Sequence, residues 1–229
     1  NNPIPAPSGE NAAWRKERDA KYDLEGMTKK MAGRDVRCAA LADMVTGLQT
    51  AAPWDGPTGI VPPQEKGASA WQGSAEDNLT MLRAAFHLAG AQLTGGMELN
   101  DHMLRIFDKG AVSFQDIDNG IQDTKTKVYN IPKKAKYLIA YSIQQNYQQS
   151  TFQLREDPEL YPGKLGMPMP LGRPAIHRAY GDGRYTEWQA MRFVKNLGYG
   201  AYKAGVTANV ALGIFAGFGE QGRATYMMT

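Results

Sequence analysis

Ser74-Ala-Glu-Asp-Asn-Leu-Thr-Met-Leu-Arg-Ala-Ala-Phe-His-Leu-Ala-Gly-Ala-Gln-Leu93 is the stretch from which the fold is read. Ser74 is a polar cap residue, Glu76 and Asp77 put acids in a first turn, and Leu79, Leu82, Phe86, Ala89 and Leu93 recur at helical spacing. The pattern predicts an amphipathic helix that Gly95-Gly96 ends. The same spacing rule predicts helices over 98–108, over 114–129 behind a Ser113 cap, and over 132–152. In the last of these Pro132 takes a first-turn position, and Leu138, Ile139, Ser142 and Ile143 form the inward face. Residues 75–154 thus read as a compact helical core, and the fold class as mainly α, with long Pro/Gly-rich irregular arms at the N-terminus and in the C-terminal third.

Working outward, Pro3, Pro5 and Pro7 keep residues 1–10 out of helix and central strand, so they read as an extended arm. Residues 11–51 read as N-terminal helices over 11–31 and 35–49, the second carrying Val36, Ala40, Met44 and Leu48 every four residues. Residues 52–74 are broken by prolines and glycines and read as an irregular linker. Trp54 and Trp71 within it are too apolar for an idle solvated segment and are expected to pack on a surface. Residues 155–229 form a basic, Pro/Gly-interrupted region: irregular from Arg155 to Tyr185, helical from Thr186 to Leu197, then a small-residue tail. In that tail Ala201, Gly205, Asn209, Gly213 and Gly217 stand four apart, a ridge on which a second helix could pack closely. The uncharged run Ala204–Gly219 is 16 residues long, short of the roughly 20 needed to span a bilayer.

Hydrophobic residues make up 42% of the chain and charged ones 21%, enough apolar material for a packed core. The single cysteine, Cys38, excludes an intrachain disulfide and a thiolate cluster. The net charge of +3 is unevenly spread: residues 1–124 carry −5, and residues 125–229 carry +8. Such segregation suits either a phosphate-facing surface or the orientation of one copy of the chain against another.

Motifs for chemistry are weak. Gly217-Phe-Gly219-Glu-Gln-Gly222 has the letters of a dinucleotide fingerprint, but seven residues cannot supply the helix, strand and ribose-binding acid that must follow. Asp116-Ile-Asp118-Asn-Gly120 has its glycine one position early for a calcium loop, and Lys127 stands where the closing glutamate belongs. His87, His102 and His177 show no paired-ligand spacing. His87 reads as a partly buried histidine satisfied by its surroundings. No metal, cofactor or catalytic constellation is implied, and the expectation is a non-enzymatic chain.

The positive signal is basic residues interleaved with aromatics. Lys125, Lys127, Lys133, Lys134, Lys136 and Tyr137, with Arg173, Arg178 and Arg184, have the composition of a sequence-tolerant nucleic-acid surface. Trp54, Trp71, Gly205, Gly213 and Gly217 are the expected subunit-packing residues. Together these features predict a structural subunit of a multi-copy complex, of coat, nucleocapsid or virion-component type. Its partners would be copies of itself in a ring or open array, with RNA or DNA as a further candidate. Two alternatives stand beside it: a membrane-penetrating or pore-forming component using the C-terminal small residues, and an enzyme of unfamiliar family. Compartment is left open.

Overall fold

The computed structural model describes residues 17, 20–22, 24–26, 28–29, 31, 34, 53–66, 68–153, 172–203, 208–222 and 227–228. They divide into two compact units, one of Asn1–Gln49 with Gln144–Gly181, the other of Thr50–Ile143 with Asp182–Thr229. The expected arm 1–10, the helix over 35–49 with Cys38, Gly205, and the irregular passage as far as residue 171 lie outside the described residues.

In the first unit, helical residues occur at positions 17, 20–22, 24–26 and 28. Lys29 pairs there with Glu25 at 2.5 Å, one helical turn earlier. Glycine is required at Gly26, where an added Cβ would lie 2.5 Å from Cβ of the buried Arg34.

The second unit is an α+β arrangement, which corrects the mainly helical reading. Helix α1 (Ala75–Leu88) is followed by strands β1 (Leu93–Glu98), β2 (Val112–Gln115), β3 (Ile121–Gln122), β4 (Tyr129–Pro132) and β5 (Tyr137–Ser142). Helix α2 (Tyr147–Ser150) belongs to the first unit. Helix α3 (Arg173–Asn196) begins there and continues into the second, where α4 (Asn209–Phe215) and the short strands β6 (Glu220–Gln221) and β7 (Met227–Met228) complete the chain. Strands β1 and β5 pair antiparallel as a two-stranded ribbon, with Gly95 opposite Ala140. Strand β4 lies parallel to β2 and antiparallel to β3 in a three-stranded sheet of order β2-β4-β3, while β6 and β7 pair antiparallel.

The predicted helices over 98–108, 114–129 and 132–152 are therefore replaced largely by strands and turns. Alternate β5 residues enter two different cores. Leu138 and Ala140 join Met97, Ile106, Phe107, Val112 and Ile131 in one cluster, against which α4 packs. Ile139 and Tyr141 join Phe86, Ala91 and Ala190 in the other, between the ribbon and helices α1 and α3. A strand buried on both faces shows an unbroken apolar run, which spacing alone does not separate from a buried helix.

Helix α1 is capped at Ser74, whose hydroxyl accepts from the Asp77 amide at 3.1 Å. It ends at Leu88 rather than at Gly95-Gly96. Gly90 takes a φ of +103°, and the amides of Gly90 and Ala91 close on the carbonyls of His87 and Phe86. The same closing geometry recurs after α4, where Gly217 has φ +77° and Phe218 donates to Gly213; left-handed backbone of this kind favours glycine. Helix α3 overturns the irregular reading of 155–185 from residue 173 onward. Pro174 sits in its first turn, where a missing N–H costs nothing.

Candidate functional site

The expected contact residues are dispersed. Lys125 and Lys127 lie in the β3–β4 turn, and Lys133, Lys134 and Lys136 in the β4–β5 turn, all exposed, with Tyr137 exposed at the start of β5. The two turns sit at opposite ends of β4, so Lys127 and Lys133 are separated by roughly 20 Å of extended chain. Acids are threaded among them. Lys134 pairs with Asp118 at 3.0 Å. Asp123 accepts from the amides of Lys125 and Thr126, both at 2.8 Å, and the Thr126 amide first, then that of Lys125, holds its carboxyl below the usual carboxylate range. Arg184 lies on α3 within the second unit, whereas Arg173 and Arg178 lie on the part of α3 in the first.

Of the expected subunit-packing residues, Trp54, Trp71 and Gly213 have partners within their own chain. Trp54 stacks between Tyr129 and Tyr202, with ring centroids at 5.0 and 5.5 Å. Trp71 donates its indole N–H to Asn78 Oδ1 at 2.8 Å, and its backbone N–H reaches the Leu197 carbonyl at 2.9 Å. Gln64 donates to the Gly198 carbonyl at 3.0 Å, and Lys195 to that of Pro57 at 3.0 Å. The Pro/Gly-rich linker is thus tied to the C-terminal half of α3. Gly213 makes room for Met227, whose Sδ would lie 2.7 Å from an added Cβ.

A hollow of about 220 Å³ opens in the second unit at the edge of β1 that β5 does not pair. Arg83 and His87, one helical turn apart on α1, line one side. Gln92, Leu93 and Thr94 at the start of β1 line another, and Ala216, Gly217 and Phe218 at the end of α4 close the third. The Arg83 Nε–H donates to the Thr94 carbonyl at 3.1 Å, which covers part of the open strand edge and fixes the plane of the guanidinium. Thr94 is only 5% exposed, and its hydroxyl has no hydrogen-bond partner among the described residues. A buried hydroxyl without a partner costs on the order of 1–3 kcal/mol. An added Cβ at Gly217 would meet nothing within 4 Å, consistent with open space on that side.

Comparison of the chain with protein-family models and with curated proteins found no match.

The hollow therefore rests on its own chemistry. Its polar residues are an arginine, a histidine, a glutamine and a threonine, and no carboxylate lines it. His87, expected to be a satisfied, partly buried histidine, is instead exposed at the rim. His102 meets Phe215 edge-on at 6.3 Å, away from any acid–base partnership with Asp101 that the structure records. His177 lies on the part of α3 in the first unit. The GxGxxG letters at 217–222 fall on the cap of α4 and on β6, and residues 116–120 form the loop between β2 and β3. Among the described residues no cluster of three or more His, Cys, Asp or Glu could hold a metal ion, and no helix is long and apolar enough to cross a membrane. Sequence reasoning missed Arg83, Gln92 and Thr94. The available signal was an Arg–His pair at i,i+4 in an otherwise apolar helix, followed at once by a polar strand start.

Proposed function

We propose that the second unit is a small-molecule-binding domain whose ligand occupies the hollow between α1, β1 and the end of α4. The observation that carries this reading is Arg83, held by its bond to the Thr94 carbonyl at the wall of a hollow that has open volume and no acidic residue in its lining. Concave sites with apolar walls and a few convergent polar groups are where small ligands bind. The test is a set of small neutral, cationic and anionic compounds titrated into the isotope-labelled full chain. Saturable amide shifts confined to residues 83–94 and 216–218 are expected for at least one chemical class. Shifts spread elsewhere, or none with any class, would dispose of the reading.

A second reading, the non-enzymatic assembly subunit, is favoured by one observation. Tyr185, Trp188 and Arg192 make an exposed row on α3, with the Arg192 guanidinium 5.5 Å from the Trp188 ring centroid. Aromatic–arginine rows of this kind are typical of protein interfaces and of stacking surfaces for nucleic acid. Light scattering after size exclusion, with absorbance at 260 and 280 nm, distinguishes it: salt-sensitive particles rich in nucleic acid support assembly, and a 25 kDa monomer opposes it.

A further inference from the structure

We propose that the ligand of this hollow is a small organic anion, a carboxylate or phosphate carried on a compact apolar body; the proposal rests on the ligand-binding reading above. Arg83, His87 and Gln92, residues with donor-bearing side chains, line the hollow, and no acidic residue lines it. The Arg83 Nε–H is committed to the Thr94 carbonyl. That bond directs the two terminal amino groups as a fixed fork, the geometry that matches the two oxygens of a carboxylate or phosphate.

The opposing field is the negative end of the α1 dipole, since Arg83 and His87 lie near its C-terminus. The His87 and Phe86 carbonyls there are taken up by the Gly90 and Ala91 amides at 3.0 and 2.9 Å. The formal charge of Arg83 therefore sets the sign of the site. Leu93 and Phe218 provide apolar wall next to these donors. A volume of about 220 Å³ corresponds to roughly seven waters, too small for a nucleotide and sufficient for an aromatic or short aliphatic acid.

The experiment titrates the full chain with sodium benzoate, its neutral isostere benzamide, and inorganic phosphate, following backbone amide shifts. Wild type and Arg83→Gln are compared, with a melting curve for each to show that it is folded. Benzoate is expected to give saturable shifts at Gln92–Thr94 and Gly217–Phe218. Benzamide should bind roughly tenfold more weakly or worse, as loss of a charge-assisted pair implies. Arg83→Gln should weaken benzoate by a similar factor and leave benzamide unchanged. Equal binding of benzoate and benzamide would overturn the anion assignment and leave the ligand-binding reading standing. Phosphate shifting the same amides as strongly as benzoate would overturn the apolar body. Silence of the hollow towards all three, and towards the wider set of compounds above, would overturn both.

Discussion

Replacing each of two buried threonines by valine gives opposite expected effects on stability. Thr186 is fully buried, and its hydroxyl donates to the Ala89 carbonyl at the end of α1 at 2.7 Å. Thr94 is 5% exposed, and its hydroxyl has no partner among the described residues. Valine preserves the branched shape and exchanges hydroxyl for methyl. At 186 the change leaves a carbonyl without its donor, which costs about 1–3 kcal/mol. At 94 it removes a polar group that folding had dehydrated without return, so the change is neutral or stabilises by up to about 1 kcal/mol. The two variants should thus differ by roughly 1–4 kcal/mol in equilibrium urea unfolding at unchanged slope, or by several degrees in melting temperature at ~2–4 °C per kcal/mol for a chain of this length. Thr94→Val destabilising the protein as much as Thr186→Val would show that the Thr94 hydroxyl is satisfied in the free protein.

Three further outcomes follow from local geometry. Lys127 has φ +62° in the β3–β4 turn, so Lys127→Gly should stabilise by about 0.5–1 kcal/mol in the same urea assay, whereas Lys127→Val should destabilise. Gly95→Ala places a Cβ 2.3 Å from the Ala216 carbonyl oxygen and should cost about 2 kcal/mol or more, while Gly213→Ala meets the flexible Met227 side chain and should cost under ~1 kcal/mol. Burial, and then the Glu187 carboxylate, push the Tyr141 phenol well above its usual range, and its hydroxyl donates to the Gly183 carbonyl at 2.8 Å. Because the folded value is raised, the unfolded chain deprotonates first: the contribution is intact below about pH 10 and is lost as pH rises from there towards the folded value. Tyr141→Phe should therefore flatten the alkaline arm of the stability–pH curve, and one tyrosine of the wild type should titrate after the rest at 295 nm.

The start of α1 was legible because its signals are local: a serine cap, acids in the first turn and apolar residues at one period. Its end was not, since Ala89 and Leu93 continue the period past Gly90, and only the closing hydrogen bonds decide where the chain turns. Tyr137-Leu-Ile-Ala-Tyr-Ser142 was opaque for a different reason. Both of its faces are covered, so the alternation that marks a half-solvated strand is absent. In α3, Gly181 and Gly183 each weaken an isolated helix by about 1 kcal/mol, yet an added Cβ at Gly183 would stand 3.5 Å from the Ile143 side chain, and Tyr141 bonds its carbonyl. Tertiary packing there outweighs propensity. The Arg83–His87 pair was readable at i,i+4, but its meeting with Thr94 depends on the Gly90 turn, and its meeting with Phe218 depends on contacts across more than 120 residues of chain.

An unpaired strand edge is normally closed, because its free backbone groups attract other strands. Here β1 is closed at two points: the Arg83 guanidinium covers the Thr94 carbonyl, and the end of α4 presses on Gly95 so closely that no side chain fits there. Between those covers the chain leaves a hollow. The same interior treats an equivalent threonine at 186 differently, giving it a short hydrogen bond to the turn that ends α1. A fold that satisfies one buried threonine and leaves the other without a partner departs from its own packing rule at one place, and the paired Thr94→Val and Thr186→Val variants measure what that departure costs.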